Sequence, residues 1–423
     1  MRALRYNITP LGWATCRWLR SLWRGCLLTR LNGLALVDAG PPALPGADWV
    51  RVRTLLGGIC GSDVATVAQK YPVDSLLQAF TSLPFGLGHE NVAVVEDVGP
   101  GVDADWLGRR VCVEPTLSCR PRGIDPPCAR CRGGEFGACE NFGAAGVGAA
   151  GLPAGTSIGY NRRTGGSHGE QFVAHVSQLV AVDEALSDAQ AVLTDPLACG
   201  LHAVLRADLD GAERVCVYGA GMLGLAVIGA LRATGYAGRI DVIEQAGYLR
   251  QSAERMGADE FVILPREARR RHERMADLLG CRVHRARFGN FTVSGGYDAV
   301  FECAGTCRTM SEALRWTRSR GQVVLVATGA GRDVDMTPIW FTELRVIGAY
   351  GRQVERYDGR EVTTYALVHE LIASGALPTD GLLTHTFGIE QYEQAYGVAM
   401  DKAAHNAIKV AFDFRTQRRD RQA

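Results

Sequence analysis

Two short segments of the sequence contain the side chains best suited to hold a metal ion that takes part in chemistry. Cys60 lies on a glycine-flanked turn beside Ser62, and His89 follows within a Gly-His-Glu segment. A thiolate and an imidazole are ligands that zinc prefers, and a catalytic zinc takes three protein ligands and keeps one position open. Each residue alone is also typical of a buried core, so a third ligand is needed to favour a metal. Asp195, in a Leu-Thr-Asp-Pro-Leu segment, is the candidate, and together the three residues predict a catalytic zinc site.

Four further cysteines have the spacing of a structural metal site. The chain contains thirteen cysteines, and four of them follow one Gly- and Pro-rich stretch as C-x8-C-x2-C-x7-C: Cys119, Cys128, Cys131 and Cys139. Four thiolates complete a tetrahedral zinc site and leave no position open. Unligated cysteines in a loop are the alternative. Because the clustered pattern favours metal binding over disulfides, we expect a reducing, cytoplasmic location.

A glycine-rich turn follows one predicted strand and precedes an apolar helix. It reads Gly-Ala-Gly-Met-Leu-Gly over 219–224, after a strand at 214–218. Glycines in this pattern allow the pyrophosphate of a dinucleotide to approach a helix N-terminus, whose free N–H groups favour an anion. Glu244 ends the next predicted strand, where a carboxylate binds the ribose of NAD and repels the extra phosphate of NADP, whereas Arg250 nearby would attract that phosphate. The alternative is an ordinary glycine turn of an α/β fold. If the turn binds NAD, the predicted binding residues are Gly219, Gly221, Met222, Leu223, Gly224, Glu244 and Arg250.

The elements that must position these residues are of two kinds. Residues 31–180 are β-rich, with predicted strands at 34–37, 49–56, 92–95 and 110–113 between glycines and prolines. Residues 211–348 alternate strands with helices, which indicates βαβ units and a parallel sheet covered on both faces. The strands of this part are predicted at 214–218, 240–243, 261–264, 298–303 and 322–327, and the helices at 222–234, 248–256 and 310–317. Residues 352–423 add one helix, 362–374, and one strand, 407–412, so we expect this tail to pack on the first segment.

The composition is that of a globular protein without a strongly charged partner. The 423 residues carry 46 basic and 45 acidic side chains, and 47% of them are hydrophobic, which is typical of a chain with two or three domains. Eight arginines between residues 266 and 287 are interleaved with three acids, so we expect a solvated helix and loop there rather than a nucleic-acid site. No apolar run reaches the about 18 residues of a membrane span, and we expect no transmembrane segment.

With these motifs in this order, the sequence resembles the zinc-dependent medium-chain dehydrogenases, especially the branch of threonine, polyol and glucose dehydrogenases. The resemblance extends from about residue 31 to 414 and includes a Phe-Glu-Cys-Ala-Gly segment at 301–305. It implies an α/β fold that joins a doubly wound parallel Rossmann sheet to a discontinuous, mainly β, GroES-like catalytic domain with a zinc lobe. The implied domains are 1–198 for the first catalytic part, with an insertion at 7–30 and the zinc lobe at 119–139, 199–348 for the Rossmann domain, and 349–423 for the second catalytic part.

The resemblance also assigns roles to the site residues. It implies that Cys60, His89 and Asp195 bind the catalytic zinc and that Glu90 can join them during turnover. Zinc would lower the pKa of a substrate hydroxyl, Ser62 would pass the proton outward, and the substrate would give hydride to NAD. The implied substrate is a small alcohol, polyol or sugar, and the implied assembly is a homodimer or homotetramer.

Three departures from the family pattern affect these roles. Asp195 is shorter than the glutamate common in the polyol branch, so water or Glu90 would complete the metal site. The first spacing of the cysteine lobe exceeds the usual two residues, which an inserted loop at 120–127 accommodates. Ala65 stands where many alcohol dehydrogenases have a proton-relay histidine, which leaves Ser62 and water as the proton route.

Two other functions remain open at the level of sequence. A zinc-free quinone or enone reductase of the same superfamily would make the cysteines incidental, although the pairing of Cys60 with His89 argues against it. A non-catalytic NAD-binding regulatory protein would use the glycine turn without turnover. Metal analysis and a dehydrogenase screen distinguish all three functions, because only the first requires two zinc ions and alcohol-dependent NADH formation.

The insertion at 7–30 is a separate feature, with three tryptophans and no acid. Its apolar residues recur at helical spacing while the arginines share another face, which predicts an amphipathic helix. The apolar positions are Leu19, Leu22, Trp23, Cys26 and Leu27. We expect this face to dock on the catalytic domain or at a subunit interface. Binding to an anionic membrane surface is the alternative.

Overall fold

Residues 1–72, 74–327, 329 and 333–415 are described by the computed structural model of the chain. They fall into two units. The first contains Met1–Asp195, Arg352–Ala373 and the described residues from Thr379 onward, and the second contains Pro196–Gly351 and Ser374–Pro378. The first unit is therefore discontinuous in sequence, and residues near the C-terminus fold together with residues near the N-terminus.

The elements are numbered here in chain order. The strands are β1 Arg2–Tyr6, β2 Leu34–Asp38, β3 Trp49–Gly58, β4 Phe85–Gly86, β5 Glu90–Val98, β6 Arg110–Val113, β7 Gln171–His175, β8 Leu179–Ala181, β9 Arg214–Tyr218, β10 Arg239–Ile243, β11 Glu260–Val262, β12 Arg282–Arg285, β13 Phe291–Ser294, β14 Tyr297–Glu302, β15 Thr317–Leu325, β16 Arg345–Gly348, β17 Val354–Tyr357, β18 Arg360–Thr363, β19 Leu383–Phe387 and β20 Lys409–Asp413. The α-helices are α1 Pro10–Leu19, α2 Gly61–Val67, α3 Cys119–Arg122, α4 Ala129–Arg132, α5 Asp188–Ala191, α6 Thr194–Arg206, α7 Met222–Ala233, α8 Arg250–Met256, α9 Ala268–Leu279, α10 Cys307–Trp316, α11 Thr337–Phe341, α12 Thr364–Ala373, α13 Tyr392–Met400 and α14 Lys402–His405.

The first unit is built on a mainly antiparallel sheet. Its seven strands follow the order β19-β20-β3-β5-β6-β8, with β7 also paired to β3, and a smaller sheet has the order β2-β1-β4. Alternate residues of β3 are buried, as expected for a strand with one face on the core. Strand β20 runs antiparallel to β3. The tail therefore packs on the first segment and joins the same sheet as the site-bearing strands.

The second unit is a parallel α/β sheet. Its six strands have the order β11-β10-β9-β14-β15-β16, and all of their pairings are parallel. The central strand β9 is almost entirely buried, as strands covered by helices on both faces must be. Its bounds match the predicted strand. The doubly wound sheet and the discontinuous β-rich unit confirm the expected fold class.

The N-terminal insertion does not form the single amphipathic helix that its periodicity predicts. Helix α1 ends at Leu19, and a 3₁₀ turn, Arg24–Leu28, follows it. Between these two elements Cys26 packs on Cys16, and both side chains are buried. Leu22 and Trp23, which the prediction placed on the buried face, are 77% and 55% exposed.

The arginine-rich stretch at 266–287 is also more ordered than predicted. It forms α9 and then strand β12, which pairs with β13 in a hairpin. Arg271 is not solvated, because its guanidinium lies 2.6 Å from Glu312 and both side chains are buried. Among the helices of the described ranges, none has both the length and the apolar character needed to cross a membrane.

Candidate active site

The end of β3 and the start of β5 bring three metal-ligand side chains together. Cys60 is the N-cap residue of α2, and His89 and Glu90 lie where β5 begins. Ligand atoms of these three side chains all lie within 4.8 Å of one another, and we call them the three-residue group. Gly58 pairs with Glu90 across the strands, and a Cβ there would come within 2.2 Å of the Glu90 carboxylate. The close approach therefore requires glycine at position 58.

Buried negative groups surround His89. Asp63 is fully buried, its Oδ2 accepts the backbone N–H of Cys60 at 3.0 Å, and its Oδ1 lies 3.8 Å from His89 Nδ1. Neither Asp63 Oδ1 nor His89 Nδ1 has a hydrogen-bond partner within the described ranges. Burial opposes a charge on His89, yet Asp63, Cys60 and Asp195 raise its pKa to about 10. A cation fits this environment, and a thiolate, an imidazole and a carboxylate are a donor set that suits zinc.

Lys409 is a site residue that sequence reasoning missed. From β20, its Nζ donates to both oxygens of Glu90, at 2.7 and 2.6 Å, and both side chains are buried. Burial acts against the ammonium, but Glu90 and Cys60 raise the pKa of Lys409. The available signal was composition, because only three of the 46 basic residues are lysine. That signal did not distinguish Lys409 from Lys70 and Lys402, and only the pairing of β20 with β3 shows its contact with Glu90.

The structure does not place Asp195 in the three-residue group. Asp195 Oδ1 accepts a hydrogen bond from the hydroxyl of Tyr365 at 2.6 Å and another from Arg352. Burial alone would raise the pKa of Asp195, but Arg352 and His89 lower it. Asp195 is thus held as a carboxylate by an arginine and a tyrosine, and Glu90 is the carboxylate that joins the candidate metal ligands.

Ser62 and Tyr160 place two hydroxyl groups beside the three-residue group. Ser62 is half-buried on the first turn of α2. The phenol of Tyr160 interacts with Ser62, and its ring lies 5.9 Å from that of His89. Its hydroxyl oxygen is buried and forms no hydrogen bond of regular geometry to the described residues. Burial, and then Asp63, raise the pKa of Tyr160 well above its usual range, so the hydroxyl stays protonated.

The four cysteines at 119–139 also converge. Cys119 begins α3, Cys128 caps α4, Cys131 lies in α4, and Cys139 follows a 3₁₀ turn. Their sulfurs all lie within 4.8 Å of one another, and none is in a disulfide. Asn141 donates its backbone N–H to Cys139 at 3.3 Å and its side-chain amide to Cys119 at 3.1 Å. Such donors stabilise thiolates, so this lobe fits a structural zinc with four sulfur ligands.

Arg122 organises the loops around this lobe, and the sequence did not mark it. Its side chain is fully buried in a region with little regular structure. The guanidinium donates at 2.6–3.1 Å to the backbone carbonyls of Leu117, Phe142, Ala144, Pro153 and Gly155. One cation thus satisfies carbonyls that no strand or helix pairs.

The glycine turn in the second unit links β9 to α7. Gly219 has a φ of +97°, and a Cβ on Gly224 would lie 1.8 Å from the carbonyl oxygen of Gly219. These two glycines permit the turn and the close packing of helix on strand. Gly221 is the N-cap of α7, and no atom of the described residues lies within 4 Å of a Cβ built on it. The helix N-terminus, which begins with Met222 and Leu223, is therefore accessible to an anion.

Glu244 stands next to this turn. Its Oε2 accepts the backbone N–H of Ala220 at 2.8 Å, which fixes the carboxylate beside the glycines. Arg250, the residue expected to favour NADP, has other partners: its guanidinium lies 4.8 Å above the ring of Phe261 and 3.8 Å from Glu254. A carboxylate is thus hydrogen-bonded to the turn, whereas the described contacts of the guanidinium are with Phe261 and Glu254.

Comparison with known proteins gives matches along most of the chain. Residues 46–184 match the alcohol dehydrogenase GroES-like domain family, and residues 223–366 match the zinc-binding dehydrogenase family. A sorbitol dehydrogenase of Arabidopsis thaliana is 30% identical, over 90% of this chain and 94% of that protein. An L-idonate 5-dehydrogenase of Vitis vinifera is 28% identical, over 90% and 93%. The crystal structure of 2R,3R-butanediol dehydrogenase from Bacillus subtilis has a TM-score of 0.68 at 22% identity, over 97% of this chain and 99% of that chain.

Proposed function

The chain belongs to the zinc-dependent medium-chain dehydrogenases, and from that premise we propose that it transfers a hydride between the hydroxyl-bearing carbon of an alcohol, polyol or sugar and NAD. The observation that carries the proposal is the convergence of Cys60, His89 and Glu90 in the first unit. The sorbitol and L-idonate dehydrogenases among its relatives support a polyhydroxylated substrate. The zinc-free reductase and the non-catalytic protein have no comparable support.

The site residues of the first unit each have a specific role in this proposal. Cys60, His89 and Glu90 would hold the catalytic zinc, and the four cysteines at 119–139 would hold the structural one. When bound, the catalytic zinc lowers the pKa of a substrate hydroxyl, and NAD accepts the hydride. Asp63, whose Oδ1 lies 3.8 Å from His89 Nδ1, would orient the neutral imidazole that a metal requires. Lys409 holds Glu90 through both carboxylate oxygens and balances its charge.

The substrate proton would leave through the hydroxyl groups of Ser62 and Tyr160. Ala65 occupies the place of the relay histidine found in related enzymes, so another protic group has to lie at this position. Tyr160 is suited to the task because its buried hydroxyl stays protonated and lacks a regular hydrogen bond to the described residues. A neutral hydroxyl can accept one proton while it donates another, which moves a proton without ionising the phenol.

Replacing Tyr160 tests this route. We expect Tyr160→Phe to lower kcat about tenfold and to shift its pH profile, with zinc content unchanged, because the ring remains and only the relay hydroxyl is lost. Tyr6→Phe is the matched control, because the ring of Tyr6 lies 5.6 Å from Phe85, and Phe85 lies 5.3 Å from Tyr160. A parental kcat and pH profile in Tyr160→Phe would contradict the route.

The activity itself is tested with an NAD-reduction panel. The purified enzyme is assayed against sugars, polyols, amino alcohols such as threonine, and aliphatic and aromatic alcohols. We expect NADH formation with at least one polyhydroxylated substrate and two zinc ions per chain by atomic absorption. Absence of alcohol-dependent NADH formation from an enzyme that contains both zinc ions would overturn the proposed function.

We also propose a cytoplasmic homodimer. None of the thirteen cysteines forms a disulfide, which suits a reducing compartment. Strand β16 ends the order of the parallel sheet, and Val346 on it is 37% exposed, while Trp340 and Phe341 of the neighbouring α11 are each 71% exposed. An exposed edge with apolar neighbours is a template for pairing with a second copy about a twofold axis.

A further inference from the structure

The N-terminal insertion presents an outer surface that is both apolar and basic. Leu11 is 78% exposed, Trp18 69%, Leu22 77% and Trp23 55%. The opposite side of the segment is packed, with Cys16, Cys26 and Leu27 in one buried cluster. We call the four exposed residues, together with Arg17, Arg20 and Arg24, the N-terminal surface. Its apolar residues are held outward by a folded segment and are not part of a loose tail.

The positive charge of this surface is not cancelled. In the described part of the chain, no ion pair joins Arg17, Arg20 or Arg24 to a carboxylate. Arg17 lies over the ring of Trp13 at 5.2 Å, and Arg20 donates to the carbonyl of Ala68 at 3.4 Å. Arg17 and Arg24 are exposed and Arg20 is half-buried, and the stretch 7–30 contains no acid that could balance their charge.

We propose that the N-terminal surface binds the anionic face of a lipid bilayer. Exposed tryptophan and leucine side chains insert at the boundary between head groups and acyl chains, while arginines pair with anionic head groups. Neither interaction requires a helix that crosses the membrane. The surface would hold a dehydrogenase reversibly at the membrane, and it does so independently of the proposed reaction.

A second copy of the chain is a poorer occupant of the same surface. A twofold contact sets the same patch against itself, so Arg17, Arg20 and Arg24 would meet their own equivalents with no acid of the segment between them. An anionic bilayer complements both the charge and the apolar residues. The exposed edge strand β16, in the second unit, is the better candidate for contact between copies.

Vesicle co-sedimentation of the full chain tests the proposal. Vesicles of phosphatidylcholine are compared with vesicles that also contain about 30% phosphatidylserine. We expect at least tenfold tighter binding to the anionic vesicles, and about tenfold weaker binding when the salt concentration is raised to screen charges. Equal binding to the two kinds of vesicle, or none to either, would overturn the proposal.

Two variants and a control locate the binding site. We expect Trp18→Ser/Trp23→Ser and Arg17→Gln/Arg20→Gln/Arg24→Gln each to weaken binding at least tenfold without changing the dehydrogenase rate. Phe288→Ser is the matched control, because Phe288 is a 97% exposed aromatic next to Arg287 in the hairpin of the second unit. This variant should bind to the vesicles like the parent. Parental binding by the tryptophan variant, or a change in its mass by light scattering, would show that the surface does not bind lipid.

Hydrogen exchange on the unmodified chain gives an answer even if a variant misfolds. Amides of residues 15–28 are measured in solution, with neutral vesicles and with anionic vesicles. We expect exchange to slow further only with the anionic vesicles. Unchanged exchange under all three conditions would overturn the proposal, whether or not the chain is an active dehydrogenase.

Discussion

At the scale of single residues, two cysteines of identical chemistry have different expected roles. Cys60 belongs to a group whose one carboxylate accepts a hydrogen bond from Lys409. Cys128 is one of four cysteines whose sulfurs lie close together in the cysteine lobe. A catalytic metal carries chemistry, and a structural metal organises its surroundings. The two sites should therefore fail in different ways.

We expect Cys60→Ser to abolish turnover, by a factor of about 1000 or more, and to remove one zinc equivalent while the midpoint of thermal unfolding stays near that of the parent. We expect Cys128→Ser to remove the other equivalent and mainly to lower the midpoint. Atomic absorption, NAD reduction and calorimetry on both variants measure these outcomes, and full activity of Cys60→Ser would remove the catalytic zinc from the proposal.

Cofactor choice is also decided by one side chain. We expect the enzyme to prefer NAD, and Glu244→Ser to lower kcat/KM for NAD about tenfold or more while the value for NADP rises, because the carboxylate no longer binds the ribose or repels a phosphate. Arg250→Leu is the control and should leave the preference for NAD in place, since Arg250 is engaged with Phe261 and Glu254. A parent enzyme with the higher kcat/KM for NADP would refute this role of Glu244.

The structure brings together side chains that local spacing marked in the sequence, and it adds contacts that only the pairing of distant strands creates. The four cysteines and the glycine turn are local patterns, and Cys60 and His89 lie at the ends of paired strands. Lys409 approaches Glu90 only because β20 pairs with β3. The choice between Asp195 and Glu90 depends on Arg352, whose contact lies 157 residues away in the sequence and leaves no local pattern.

At the scale of elements, prediction succeeded for buried strands and was wrong where tertiary contacts override the local periodicity. Strand β9 matches its predicted bounds because a polar residue and a glycine mark the two ends of its continuous apolar run. The predicted helix at 362–374 begins instead at Thr364, because Val362 pairs with Glu355 in a hairpin. The helix predicted over 7–30 stops at Leu19, because packing between two cysteines overrides its periodicity.

Helix α12 makes the stability of the first unit depend on pH. His369 Nε2 lies 2.9 Å from Thr194 Oγ1, and burial lowers the pKa of His369 from its ordinary 6.5 to about 4. The unfolded chain therefore takes up this proton more readily, so the stabilisation is complete above about pH 6.5 and is lost as the pH falls toward 4. Between about pH 7 and pH 5, we expect the parent to lose about 2 kcal/mol more unfolding free energy than His369→Asn. Urea unfolding measures this, and identical pH dependence of the two proteins would contradict it.

At the scale of the whole molecule, the resemblance stated from motifs was confirmed as family membership by relatives that span nearly the full chain. The interruption of the first unit in sequence was expected for two reasons: the tail is too short to fold alone, and the resemblance implies a discontinuous catalytic domain. Assembly leaves no comparable motif, because pairing at an exposed edge strand uses backbone N–H and C=O groups that nearly every residue carries.

If the dimer forms through strand β16, negative charges introduced at that edge of the parallel sheet should dissociate it. We expect Phe341→Glu/Val346→Glu to halve the mass measured by light scattering while circular dichroism stays unchanged, because two like charges at a twofold edge repel each other. Val147→Glu, at a 51% exposed valine of the first unit, is the control and should remain dimeric. A dimer that survives the double substitution would exclude this edge.

The pairing of β20 with β3 has a consequence for biosynthesis. The ribosome makes β3 and Glu90 first, then the whole second unit, and only afterwards the strand that carries Lys409. A nascent chain that ends before β20 already contains every strand of the parallel sheet, which can fold as a unit. Its Glu90 still lacks the only ammonium that contacts it in the described structure, so a buried carboxylate without its cation would hold the site open during translation. We therefore expect the three-residue group to reach its final arrangement only after β20 has been made, and its metal to be loaded after that.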